Sequence, residues 1–124
     1  MDDKFTVLES EVMRKIIAED PNISSILAKQ YNVAKIISRD FTGVGFFTNF
    51  EIIDKNLKIK DNLKLTLGNV QAKIDGLEFG VGFVLFVEDG LISMLEGYTY
   101  DEPWPDTITS YLLEYVYPKQ NSNL

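Results

Sequence analysis

The chain predicts an α+β fold: two amino-terminal helices, an antiparallel meander sheet of about six strands and one carboxy-terminal helix, with the helices packed on one face of the sheet. Three observations lead there. Leu77 to Tyr98 reads as two apolar strands around Asp89-Gly90, a dipeptide suited to a two-residue hairpin turn because both positions tolerate positive φ. Apolar residues recur at helical spacing as far as about Asn32 and at alternate positions after it. Beyond Trp104-Pro105 the helical spacing returns in Ile108, Tyr111, Leu112, Tyr115 and Val116.

Each element has a local cause. Thr6 and Glu9 stand at capping-box spacing, and Leu8, Val12, Met13, Ile16 and Ile17 share one helical face, so a first helix is expected from about Val7 to Glu19. Asp20-Pro21 closes it and can open a second, with Asp20 as cap and Pro21 at the first position. Ile23, Ile26, Leu27 and Tyr31 form that helix's apolar stripe, and Asn32 suits its end. Val33 to Phe41 is rich in β-branched residues, Thr42-Gly43-Val44-Gly45 makes a turn, and Phe46 to Ile53 alternates. Leu57 and Ile59, then, after a break at Asp61-Asn62, Leu63, Leu65 and Leu67 alternate with Lys58, Lys60 and Lys64, as in an edge strand with one wet face. Gly68-Asn69 and Asp75-Gly76 are expected to turn before the central hairpin. Asp106 or Thr107 would cap the last helix, Pro118 would stop it, and Lys119 to Leu124 is expected to fray.

With 45% hydrophobic and 25% charged residues over 124 positions, residues 1–124 suit one domain. There is no cysteine and no histidine, which excludes disulfides, thiolate metal sites and the Ser-His and Cys-His catalytic arrangements. No cofactor and no metal is expected. The start lacks a secretory pattern and no apolar run has spanning length, so a cytoplasmic location without membrane insertion is expected.

The net charge of −7 is unevenly spread. From Gly76 through Pro118 there is no Lys or Arg, while Glu78, Glu88, Asp89, Glu96, Asp101, Glu102, Asp106 and Glu114 all fall there, with most of the aromatic residues. Such a half repels nucleic acid and anionic membranes and attracts a basic protein partner, and it equally fits acids that serve only to keep an aromatic-rich sheet in solution.

Glu96, Tyr98, Tyr100, Asp101, Glu102 and Trp104 are the candidate binding residues. If Asp89 and Gly90 alone make the hairpin turn, Glu96 faces Phe83 in an apolar row and becomes partly desolvated; if Glu88 joins a three-residue loop, the register slips and Glu96 sits beside Gly82. Tyr98 to Pro105 has the composition of an interface loop, with tyrosine and tryptophan supplying contact area and two prolines restricting the backbone. Trp104 fits such a surface and fits equally a plug between sheet and helix. Glu96 with Glu88, Asp101 or Glu102 would also supply a carboxylate pair for glycoside chemistry, though nothing in the spacing requires it. Gly43-Val44-Gly45 leads into Phe46-Phe47 and Gly80-Val81-Gly82 lies inside a strand, so neither opens a helix as a phosphate loop must. Glycine inside a strand marks a bulge or a place where another element packs closely.

Phe41-Thr42-Gly43-Val44-Gly45-Phe46-Phe47-Thr48, Gly80 to Phe86, and Leu95-Glu96-Gly97-Tyr98-Thr99-Tyr100 with Trp104-Pro105 give the central two-thirds of the chain a pattern that resembles a group of small uncharacterised bacterial proteins. Some proteins of that kind accompany polymorphic toxins as immunity partners. The resemblance implies a bacterial protein with an immunity-like role and carries no site residue across. The expected function is therefore a non-enzymatic protein-binding protein, an antidote to a basic toxin. The alternative is a small-molecule binding or enzymatic domain with a pocket around Glu96 between sheet and helices. A homodimer through the aromatic surface is a third reading.

Overall fold

The computed structural model describes residues 3–116. In chain order it contains α1 (Asp3–Ala18), α2 (Ser24–Val33), β1 (Lys35–Phe41), β2 (Gly45–Glu51), a 3-10 turn (Lys55–Leu57), β3 (Leu65–Ile74), β4 (Val81–Glu88), β5 (Leu91–Thr99) and β6 (Tyr111–Tyr115). All neighbouring strands are antiparallel, in the order β1-β2-β5-β4-β3-β6. Only β3-β4-β5 is a continuous meander; the β1-β2 hairpin adds to one side of it and β6 to the other. Both helices lie on one face, and the core fills the layer between them and the sheet. Phe46, Phe83, Leu85 and Leu95 come from the sheet; Leu8, Val12, Met13, Ile16 and Leu27 come from the helices. Among the described residues, no helix is long and apolar enough to cross a membrane.

The expected carboxy-terminal helix is absent: Tyr111–Tyr115 is a strand along the outer edge of β3, with Ala72 opposite Leu113. Tyr111, Tyr115 and their neighbours satisfy a period of two as well as one of 3.6, so spacing alone does not decide between them. The unpaired backbone of β3 decides it, because β6 supplies its amide and carbonyl partners. The ladder extends past both ends through Asp75 N to Ser110 O at 3.1 Å and Val116 N to Asn69 O at 2.8 Å. Tyr111 and Tyr115 then point toward α1, where their hydroxyls donate to Glu11 Oε2 at 2.8 Å and Lys15 O at 2.6 Å. The expected fraying of 119–124 lies outside the described residues.

Four other expectations change. The first helix begins before the supposed capping box, and Glu9 is buried instead of capping. Its carboxylate accepts from Arg39 Nε at 3.0 Å, Arg39 Nη2 at 2.7 Å and Thr48 Oγ1 at 2.5 Å, tying α1 to β1 and β2. That contact raises the Arg39 pKa, since the hydrogen-bonded pair favours the charged guanidinium. The second helix starts at Ser24, after a turn in which Asp20 Oδ1 accepts from Asn22 N at 2.9 Å. The lysine-rich segment before β3 is a 3-10 turn and loop that wraps the tip of the β4-β5 hairpin, where Ile59 N donates to Gly90 O and Gly90 N donates to Leu63 O, each at 2.9 Å. Gly68-Asn69 is an irregularity inside β3 rather than a turn between strands.

Candidate functional site: the uncovered face of the sheet

The β4-β5 hairpin sets the geometry of the site. Asp89 (φ 50°) and Gly90 (φ 75°) both take positive φ, the two-residue turn that the Asp-Gly pair favours, and Glu88 pairs with Leu91. One step further the register shifts. Val87 faces Ile92 but Phe86 faces Met94, so Ser93 is an extra residue in β5. The two-residue-turn register thus holds for Glu88-Leu91 and Val87-Ile92 and is lost past Ser93: Glu96 pairs with Val84, opposite neither Phe83 nor Gly82. The bulge lets Ile92 and Leu95, an odd number of residues apart, both enter the core. It sends Glu96 to the outer face, which avoids the desolvation cost of a carboxylate among Phe83, Leu85 and Val87.

Among the described residues no helix covers the outer face, which can be read row by row. One row runs Asp40, Phe47, Glu96, Val84 across β1, β2, β5 and β4. The row nearer the turn runs Ser38, Asn49, Met94, Phe86, Thr66, and the row on the other side places Tyr98 between Gly45 and Gly82, followed by Gln71 and Glu114. Glu96 is thus flanked across the strands by Phe47 and Val84 and along its own strand by Met94 and Tyr98, all of them half-buried. Glu51 and Glu88 extend the acidic rim toward the turn end. Lys35 lies opposite Glu51, and Lys73 reaches Glu114 at 4.0 Å.

Glycine makes the aromatic placement possible. A Cβ on Gly82 would lie 2.5 Å from Tyr98, so the tyrosine ring covers the glycine backbone directly. Tyr100 meets it edge-on at 5.6 Å between centroids. Burial raises the Tyr98 pKa, helped by the hydrogen bond with Tyr100 and by the charges of Tyr100 and Glu96. On the core side Gly97 plays the same part for Phe46, whose ring would stand 2.3 Å from an added Cβ. Both strand glycines are therefore sites of close packing.

The six candidate residues do not form one cluster. Glu96, Tyr98 and Tyr100 belong to the uncovered face. Asp101 is exposed at φ 63°, a conformation that Asp tolerates better than most residues. Glu102 is engaged: its two carboxylate oxygens accept from Glu78 N at 2.9 Å and Phe79 N at 3.1 Å, holding the β3-β4 connection. Trp104 lies on the helix side. It packs edge-on against Phe46 at 5.3 Å and Phe5 at 6.4 Å, and its amide donates to Gly43 O at 2.7 Å. Because Glu96 points away from the helices, it stands outside the layer between sheet and helices where a ligand pocket was anticipated. Phe47, Val84, Phe86 and Met94 were missing from the expected set. Their sequence signal was alternation itself, since residues between the core positions of β2, β4 and β5 must emerge on the other face.

Among the described residues, no three His, Cys, Asp or Glu side chains are grouped to hold a metal ion. No protein-family model matches the chain, and no curated protein or solved structure does.

Proposed function

We propose that this chain is a non-enzymatic protein-binding protein whose uncovered sheet face receives a basic protein, in the manner of an antidote to a cationic toxin. The observation that carries this reading is Glu96 set among Phe47, Val84, Met94 and Tyr98 at the middle of that face, with Asp40, Glu51, Glu88 and Glu114 around it. Aromatic residues and methionine are enriched at interface centres, and a carboxylate inside such a patch rewards a partner that brings Lys or Arg to it. Lys35 and Lys73 face acids of this same sheet, so the face stays acidic toward a partner. The acids of the 98–105 loop are the poorer test positions, because Glu102 is committed to two backbone amides.

The test is titration calorimetry against the product of the neighbouring gene and a panel of basic proteins, with Glu96→Lys and Phe86→Asp variants. Asp75→Lys, an exposed acid at the β3-β4 turn, is the control. Each face variant should weaken a genuine complex by about tenfold or more, as interface hot spots do. The control should bind as before. Equal affinity for Glu96→Lys and the parent, with an unchanged salt dependence, would remove the reading.

A further inference from the structure

We infer a second binding site, independent of the sheet face, for a small organic cation with a trimethylammonium-type head group. It is the groove between the start of α1, the β1-β2 turn and the 104–108 loop, a cavity of about 520 Å³ within the usual range for small-molecule sites. Phe5 forms its floor, Phe41 and Trp104 stand beside it, and Pro105 and Asp106 complete the rim.

Two features select the ligand. The first is the arrangement of the rings: Phe41 is inclined at 60° to Phe5 with centroids 5.2 Å apart, and Trp104 at 75° with centroids 6.4 Å apart. Three aromatic rings thus line one groove, and aromatic surface attracts an alkylated ammonium, which is large, weakly hydrated and drawn to ring faces. The second is charge. Asp106 is the one ionisable residue in the lining, it is exposed, and among the described residues it has neither a hydrogen bond nor an ion pair. Of the nearby cations, the charge of Arg39 is paired with a carboxylate and Lys4 is tethered at a backbone carbonyl. Arg39, 5.9 Å from the Phe5 centroid, is held by Glu9, and Lys4 Nζ donates to Thr109 O at 2.6 Å. Phe41 is 51% exposed, so an occupant of the groove would cover ring surface that now faces water.

Trp104 is the single tryptophan, so its fluorescence reports directly on the groove. The experiment titrates the whole chain with choline and tetramethylammonium, and with 3,3-dimethyl-1-butanol as the neutral analogue of choline. Binding is also followed by saturation transfer to the methyl protons, which does not depend on the indole. Both cations should give a saturable response in the millimolar range, with the neutral alcohol about tenfold weaker. Asp106→Asn and Phe41→Ala, both at exposed positions, should each weaken the cations severalfold, and Glu96→Lys should leave them unchanged. Equal binding of the neutral alcohol would reduce the groove to a plain apolar crevice and overturn the inference. No saturable response from either cation, or full binding by Asp106→Asn, would overturn it as well.

Discussion

Gln30 offers the most direct test of how the hairpin is held. Its side chain is fully buried on α2, yet it makes three hydrogen bonds: Nε2 donates to Leu57 O at 2.8 Å and Gly90 O at 2.9 Å, and Oε1 accepts from Ile92 N at 2.8 Å. The β2-β5 ladder ends at Asn49 and Met94, so Ile92 lies past its last pair and finds an acceptor on the helix instead. Gln30→Leu keeps the volume and removes all three bonds. The Ile92 amide is then buried without a partner, at about 1–3 kcal/mol. Gly90 O keeps its bond from Ile59 N, and Leu57 is only half-buried, so losing the two donated bonds adds about 0.5–1 kcal/mol each. The apolar leucine recovers part of this through burial. The net loss is about 3 kcal/mol, a large share of the roughly 5–15 kcal/mol that holds a domain together. Urea unfolding should show a lower midpoint with an unchanged slope, and hydrogen exchange at Ile92 should accelerate more than exchange in β3. A loss below about 1 kcal/mol would mean that the three bonds contribute little beyond what water supplies, and the reasoning would fail.

Two further expectations concern the strand glycines and the tyrosines. Gly97→Ala sets a methyl group against Phe46, which is 1% exposed and has no room to move, and should cost about 1–3 kcal/mol or more in thermal unfolding. Gly82→Ala meets the Tyr98 ring on the open face, which can swing into solvent, so its loss should be clearly smaller while the Tyr98 titration moves back toward its ordinary value; equal losses would contradict this account. Tyr111 is pushed up to about 12 by burial and by its bond to Glu11. Its phenol is neutral in both folded and unfolded chains below pH 10, so the contribution is complete there. Between pH 10 and about 12 only the unfolded chain ionises at this residue, and stability falls. Tyr111→Phe should flatten that decline in unfolding measured across the window, and a decline as steep as the parent's would assign it to other groups.

Much of the fold can be read from local chemistry. The Asp89-Gly90 turn, the apolar stripes of both helices and the alternation in β2 and β4 each depend on residues close together in the chain, and all appear in the structure. The wrong outcome at residues 111–115 has a definite cause: Tyr111, Leu112 and Tyr115 suit a helix face and a strand equally, and only the vacant edge of β3 favours the strand. Glu9 and Gln30 were hidden for the opposite reason. Polar residues inside apolar stripes look like surface positions until Arg39, Thr48, Leu57, Gly90 and Ile92 arrive from distant parts of the chain to satisfy them.

The candidate site divides along the same line. Composition alone marks the back half of the chain as acidic and aromatic, because it is a property of the residues themselves. Which acids and rings share a surface depends on one inserted residue, Ser93, whose bulge turns Glu96 outward beside Tyr98. That choice is made by the core, since burying Ile92 and Leu95 together is worth more than regular pairing, and no residue near Glu96 in sequence announces it. Trp104 joins Phe5 and Phe46 through the same tertiary logic, on the side of the sheet away from Tyr98 and Tyr100.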